Sequence, residues 1–105
     1  MKSYKTNDLN KKIELQEMTK AEDGAGGFEV HWEKVKDLWA KVELLLNITN
    51  KNFDVLQLKA THLVVVRRLN NINTNMRFLY NGSIFSIKYI NNLDNYFTEI
   101  ICNEE

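Results

Sequence analysis

Apolar and polar residues alternate with a period of two through much of this 105-residue chain. Successive side chains of a β-strand point to opposite faces, so this period predicts strands with one buried face. A further segment is rich in β-branched residues and predicts a more fully buried strand. The pattern restricts the chain to a mainly β fold. The predicted strand segments are 12–16, 28–32, 38–44, 63–69, 76–80, 83–90 and 96–102.

Turn signals separate these segments. Asn81-Gly82 lies between two of them, and this dipeptide tolerates the two positive φ angles of a tight hairpin turn. Residues 22–27 are rich in glycine and predict a flexible hairpin loop, whereas residues 33–37 break the alternation and predict a bend or bulge. About six short antiparallel strands predict a small β-barrel or sandwich, because closure removes exposed strand edges. We expect a β-barrel in a single domain, residues 1–105.

Residues 47–60 differ from the strands. Phe53, Leu56 and Ala60 recur at spacings of three and four, which predicts a short helix or loop inserted between the second and third long strands. Adjacent strands of a small barrel need only a few residues to join them, so this segment is expected to have a purpose of its own. One interpretation is that its apolar residues cover an open end of the barrel.

Charge is balanced overall but uneven along the chain. Lys and Arg number 14, and so do Asp and Glu, so nothing predicts a whole-molecule attraction to nucleic acid or membrane. Residues 55–93 carry five basic residues and no acid, while residues 94–105 carry four acids and no base. Either the basic strands pair with the acidic last strand inside one subunit, or the two regions meet between neighbouring subunits. The candidates for subunit contacts are Arg67, Arg68, Arg77 and Glu99.

Little in the chain predicts chemistry. His31, His62 and Cys102 are its only soft metal ligands, and they lie on different predicted strands in no spacing typical of a metal or nucleophile site. The Gly24–Gly27 loop lacks the Lys-Ser/Thr of a phosphate loop. We therefore expect no catalytic, metal or cofactor site, and no enzyme. Arg77 and Lys88 flank aromatic residues, which leaves a monomeric, oligonucleotide-binding barrel open as an alternative.

No membrane or export segment is predicted. The chain has no run of about 20 apolar residues that could span a bilayer. Its first residues, Met1–Lys5, lead into polar sequence rather than into the apolar core of a signal peptide.

Five segments in register resemble the phage head–tail joining family, also called head-closure or stopper proteins. The most specific is Trp32–Glu43, which is similar to the family pattern W-x-x-V-x-x-[L/V]-W-A-x-V-E. The chain departs from the family at Leu44–Leu46, where a proline often follows, and at Asn50–Phe53, which is more basic and bulkier. The other matches are L-x-x-x-I-x-[I/L]-Q at 9–16, D-x-x-G-G at 23–28, T-H-x-V-x-[I/V]-R at 61–67 and M-R-[I/V]-x-Y-[D/N]-G-x-x-[F/Y]-x-I at 76–87.

The resemblance implies a structural protein of a tailed phage or prophage, located in the virion and assembled in the host cytoplasm. Such a protein is expected to add to the portal and adaptor proteins as a homo-oligomeric ring that closes the DNA channel and receives a tail-completion protein. A tail-completion protein of the same fold is an alternative. Alone, the chain is expected to be a monomer. Trp39 is expected to be buried, in the core or between subunits.

The resemblance also gives the inserted segment a second interpretation. In a ring, residues 47–60 of every copy would point toward the axis, and their lysines would make weak, salt-dependent contacts with packaged DNA. The candidates for channel-facing or interface residues are Lys51, Asn52, Phe53 and Lys59.

Overall fold

Six strands make up the fold, as a computed structural model shows; it describes residues 4–45 and 60–105. A single 3₁₀ turn, Thr6–Asp8, precedes them. The strands are β1 (Lys11–Glu22), β2 (Phe28–Leu44), β3 (His62–Arg67), β4 (Met76–Tyr80), β5 (Ser83–Asn92) and β6 (Phe97–Glu104). The predicted helix or loop at 47–60, with Lys51, Asn52, Phe53 and Lys59, lies outside the described residues except for Ala60.

The strands close into an antiparallel barrel in the order β1-β2-β3-β6-β5-β4, and β4 pairs back with β1. The predicted mainly β fold and the six-stranded barrel are therefore confirmed. The Asn81-Gly82 turn is confirmed as well, because both residues have positive φ angles, 51° and 77°. It joins β4 to β5 in the register that pairs Tyr80 with Ser83.

The barrel interior is filled by side chains. Alternation directs one residue in two inward from each strand, and the inward residues form one apolar cluster. Burial also raises the pKa of the Cys102 thiol, which therefore stays protonated at neutral pH. The cluster comprises Ile13, Leu15, Ala40, Val64, Val66, Phe78, Phe85, Ile87, Ile100 and Cys102.

A second apolar cluster covers the outer face of β3 and β6. Leu63, Val65, Phe97 and Ile101 point away from the barrel interior, opposite to the inward residues of the same strands. We call this group, with the residues that cover it, the outer cluster. Both strands are thus buried on two faces, which accounts for the continuous apolar run 63–66. The covering residues are Leu9, Leu45 and Ala60, with the partly buried Tyr4.

The described residues on either side of 46–59 meet at this outer cluster. The Leu45 N–H donates to the Thr61 carbonyl at 2.9 Å, and the Thr61 N–H donates to the Cys102 carbonyl at 2.8 Å. The chain therefore leaves and re-enters the barrel wall at one point.

A bulge in β2 confirms the predicted irregularity at 33–37. Leu15 pairs with Lys36 but Gln16 pairs with Lys34, so β2 has one more residue than β1 at this point, Val35. Because of the extra residue, the even-numbered side chains of β2 change face at the bulge. They point away from the barrel interior before Val35 and into it after Val35.

Trp39 is not part of the core, so the prediction that the chain buries it is wrong. Its side chain is 60% exposed, while its neighbour Ala40 is fully buried. The reason is the register of β1 and β2. Trp39 pairs with Lys12 and its side chain points away from the barrel, whereas the small Ala40 occupies the inward position. Its predicted burial between subunits stays a prediction.

Candidate assembly surfaces

The β1–β2 hairpin extends beyond the barrel. The pairing of β4 with β1 ends at Glu17, which faces Met76. Beyond that point, residues 18–22 of β1 continue to pair with residues 28–32 of β2, but β4 no longer lies beside them. We call this two-stranded projection, residues 18–32, the arm. A two-stranded ribbon is marginally stable by itself in water, so the arm needs support from elsewhere.

The arm has one apolar face. Phe28 and Val30 are 68% and 52% exposed, and the Trp32 side chain points to the same face of β2. Met18, opposite Trp32, adds to this face and is also exposed. On β1 the same face also carries Lys20, opposite Val30, and Glu22, opposite Phe28, while the other face carries Glu29 and His31 on β2. Large contiguous apolar surfaces on soluble proteins mark sites of interaction.

The loop at the end of the arm has a defined shape. The Asp23 carboxylate accepts hydrogen bonds from the N–H groups of Ala25 (2.8 Å) and Gly27 (3.0 Å). These two N–H groups hold the pKa of Asp23 below its ordinary value. Gly24 and Gly26 have φ angles of 81° and 85°, which only glycine adopts without strain. The loop is therefore an ordered turn rather than an open connection.

Arg77 supports the base of the arm. Its guanidinium carbon lies 4.1 Å from the centre of the Trp32 ring, a cation–π contact. Its Nε donates to the Gln16 side-chain oxygen at 2.7 Å, which fixes the guanidinium above the ring. Arg77, predicted as a subunit contact, thus lies on the outer wall where the arm leaves the barrel.

A cleft of about 520 Å³ lies on the outer wall near the other end of the hairpin. The exposed Trp39 and Arg67 both line it, together with the 3₁₀ turn. The Arg67 guanidinium donates to the Thr6 hydroxyl at 3.3 Å. We call this the Trp39 cleft; its lining residues are Thr6, Asn7, Leu9, Asn10, Trp39 and Arg67.

The structure brings together some of the predicted contact residues and separates others. Arg67 ends β3 and Arg68 follows it, and the Arg68 guanidinium donates to the Asp94 carbonyl at 2.7 Å. Arg77 is on β4, away from them. Among residues 4–45 and 60–105, no ion pair joins these arginines to the acids of the last strand; the Lys–carboxylate pairs found there are Lys12–Asp37, Lys34–Asp37 and Lys41–Glu43.

Glu99, the fourth predicted contact residue, is buried in the outer cluster. The Tyr4 hydroxyl donates to one of its carboxylate oxygens at 2.6 Å, and the Asn91 amide donates to the other at 3.3 Å. Burial raises the pKa of Tyr4 above its ordinary value, and the hydrogen bond to Glu99 raises it further. Tyr4 also packs edge-on against Phe97. The N-terminal segment is thereby attached to β6.

Replacing Tyr4 by phenylalanine should reduce the free energy of unfolding at pH 7 by on the order of 1–2 kcal/mol, because Glu99 loses a donor. The folded-state pKa of Tyr4 lies above the unfolded one, so its stabilisation is complete below about pH 10 and is lost as the pH rises further. We expect the Y4F variant to lack this alkaline loss in urea unfolding at pH 7 to 11. The control is Y96F, since Tyr96 is exposed; equal pH dependence in Y4F and wild type would contradict the assignment.

The potential ligands of the sequence are dispersed. His62 lies in β3, where its Nδ1 is 2.8 Å from the Thr61 hydroxyl and its ring is edge-on to Phe85. His31 is exposed on the face of the arm opposite to Phe28 and Val30. Within the part of the chain that the structure describes, no three His, Cys, Asp or Glu residues are placed to hold a metal ion. That part also contains no helix of the length and hydropathy needed to cross a membrane.

Sequence reasoning missed the arm and the Trp39 cleft. The signal for the arm was present in Phe28, Val30 and Trp32, which alternate with polar residues like a core-facing strand. Nothing local shows that β4 stops short of them. The cleft depends on contacts between the 3₁₀ turn and the end of β3, which are some 60 residues apart in the sequence.

Comparison with known proteins gives two kinds of match. The family model described as phage head completion protein matches residues 4–105. This match confirms the resemblance to phage head–tail joining proteins. No curated protein sequence matches the chain.

Two solved structures share the fold. One is a chain in the virion of a native gene transfer agent particle, with a TM-score of 0.67 and 22% identity over 92% of this chain and 96% of that one. The other is the solution structure of protein SF1141 from Shigella flexneri 2a, with a TM-score of 0.72 and 21% identity over 91% of this chain and 92% of that one. At these identities the likeness is evidence for the fold alone.

Proposed function

The chain belongs to the phage head completion protein family, and from this membership we propose that it forms a ring that closes the portal channel of a DNA-filled head and joins the head to the tail. Its partners are the portal and adaptor proteins on one side and a tail-completion protein on the other. The role is structural and involves no catalysis. The observation that carries the proposal is the family match over nearly the whole chain.

The filled interior of the barrel supports a ring of several copies. Phe78, Phe85 and Ile100 are at most 4% exposed, so the barrel is a solid wall element and not a pore. A channel wide enough for DNA would therefore lie between copies, around a shared axis. Contacts between copies would then come from the outer wall.

The outer wall supports assembly on a template rather than in free solution. Outside the arm, the exposed large apolar side chains come from β2, β5 and the residue before β6, namely Val35, Trp39, Leu44, Tyr89 and Tyr96, and stable protein interfaces bury at least about 1,200 Å². A monomer that adds to the portal complex fits this observation, because the template raises the effective concentration of neighbouring copies.

The closure itself is assigned to residues 47–60, on the sequence alone. Lys51 and Lys59 would face packaged DNA, and the ends of the segment are anchored where Leu45 meets Thr61. Ala60 packs in the outer cluster, so its side chain serves the barrel wall.

In vitro completion of heads tests the proposal. DNA-filled heads from a phage or prophage lacking the gene are mixed with tails and purified protein, and infectious particles and retained DNA are measured. We expect wild type to restore both. A variant with Thr49–Leu58 replaced by a Gly-Ser linker should fold and bind heads but release their DNA. Infectious particles formed equally well without the protein would overturn the proposed function; DNA retained by the folded linker variant would overturn only the assignment of the closure.

A further inference from the structure

We propose that the arm of one copy of this chain binds in the Trp39 cleft of a second copy. This inference rests on the proposed function, since it supplies the contact by which copies follow one another around a ring. It combines two surfaces that have no partner within the described residues.

The arm and the cleft of one molecule cannot meet. Trp39 pairs with Lys12, whereas the arm ends at Glu22, ten residues further along β1. At the rise of a β-strand this separates them by about 33 Å. A contact between them is therefore intermolecular. Because it joins two different surfaces, it is heterologous, the type of contact that generates rings.

The two surfaces match in apolar character. Phe28 and Val30 offer exposed apolar side chains at the outer end of the arm, and the exposed Trp39 lines the cleft beside the buried Leu9. A volume of about 520 Å³ is within the range of ligand-binding clefts, about 300–1,000 Å³, and gives room for an aromatic ring. Tryptophan is also among the residues that most often dominate binding energy at interfaces.

The two surfaces match in charge as well. On the face that carries Phe28, Glu22 lies at the outer end of the arm, and Lys20 lies nearer the barrel, opposite Val30. The cleft has Arg67 in its wall, and among the described residues the exposed Lys5 and Lys11, with Asp8, adjoin its lining residues in the sequence. Opposite charges on two facing surfaces orient them and exclude wrong pairings. A second copy of this chain is therefore a better occupant of the cleft than a basic partner.

The contact is expected to be weak. One buried aromatic side chain removes about 150–250 Å² of surface, so Phe28, Val30 and Trp39 together remain below a standard interface. The ordered loop held by Asp23 limits the entropy lost on binding. Weak binding in solution and strong binding on a template are compatible, because a ring repeats the contact.

Disulfide trapping tests the inference. Two variants with one added cysteine each, Val30→Cys in the arm and Asn10→Cys in the cleft, are mixed and oxidised at about 1 mM total protein, where a contact with a millimolar Kd is populated. The native Cys102 is fully buried and does not compete. We expect the share of arm–cleft disulfides among all disulfide-linked dimers to exceed the share that random pairing of the two variants would give. Random proportions, or an excess of arm–arm or cleft–cleft disulfides, would overturn the inference.

Charge exchange gives the specificity control. Arg67→Glu in the cleft variant should abolish the excess, and adding Glu22→Arg to the arm variant should restore it, because Glu22 lies opposite Phe28 on the same face of the arm. Phe28→Ser in the arm variant should also abolish it, while Tyr96→Ser, at an equally exposed aromatic outside both surfaces, should not. Unchanged thermal unfolding verifies that each variant is folded. An excess that persists in Arg67→Glu or Phe28→Ser would contradict the contact.

The same variants separate this inference from the proposed function. If wild type completes heads but the Val30→Cys and Asn10→Cys variants form no arm–cleft disulfide in solution or on heads, the contact is wrong and the function stands. If the disulfide forms but heads are completed without the protein, the function is wrong. Head completion that requires Phe28 while no arm–cleft disulfide forms on heads would assign the arm to another virion protein and overturn the inference.

Discussion

Replacing Phe78 by alanine should lower the free energy of unfolding by about 3–5 kcal/mol, the usual cost of removing a buried aromatic ring. Phe78 is 1% exposed and lies in the middle of the barrel interior, where β4 pairs with both β1 and β5. Small domains have only about 5–15 kcal/mol of total stability, so the variant should be largely unfolded at moderate temperature or urea concentration. Urea unfolding followed by far-ultraviolet circular dichroism measures the loss.

The control for Phe78→Ala is Trp39→Ala. Trp39 is the larger side chain, but it is 60% exposed and outside the core, so its truncation should leave the melting temperature within a few degrees of wild type. If Trp39→Ala destabilises the isolated chain as much as Phe78→Ala does, the outward placement of Trp39 is wrong. A variant of Trp39 that is stable alone but defective on heads would support its predicted burial between subunits.

Replacing Phe97 by alanine should cost about 3 kcal/mol and release the N-terminal segment. Phe97 is in the outer cluster, where its ring packs edge-on against Tyr4 with 5.9 Å between ring centres. Loss of this contact removes the main apolar support of Tyr4. We expect earlier unfolding in urea together with faster proteolysis between Tyr4 and Lys11.

The adjacent Tyr96 provides a matched comparison. It is 72% exposed, so Tyr96→Ala should change neither stability nor proteolysis by more than a small amount. Proteolysis of the N-terminal segment at the wild-type rate in a destabilised Phe97→Ala protein would show that the segment does not depend on the outer cluster.

The strands were predictable because alternation and turn residues are local signals. Asn81-Gly82 determines its own turn, and the interruption at 33–37 indicates the bulge without knowledge of the partner strand. The closing order of the barrel was not predictable in detail. It depends on pairings such as β3 with β6, between residues 30 to 40 positions apart, to which local pattern contributes nothing.

The environment of Trp39 shows where sequence reasoning failed. Alternation already placed Trp39 on the opposite face from Leu38 and Ala40, so the outward position was encoded locally. The size and hydropathy of the side chain suggested the core instead. Which of two faces is buried depends on what packs there, and the inward neighbours of Ala40 come from β3.

Part of the candidate site could be predicted and part could not. The basic character of residues 55–93 drew attention to Arg67, which lines the Trp39 cleft, and Arg77, which stacks on Trp32. The stacking itself requires the β1–β4 register, which brings Arg77 beside Gln16. Glu99 was noticed only as a charge, because its burial depends on the N-terminal segment folding over β6.

The hydrogen bond that joins Leu45 to Thr61 has a consequence for how the sequence between them can change. Since the barrel wall is closed by its own hydrogen bonds at that point, the length of chain between the two residues is not constrained by the strands. Each doubling of a connecting segment costs only about 0.6 kcal/mol in closure entropy. Insertions and deletions between these two residues are therefore compatible with the barrel, whose strands do not depend on the length of the connection.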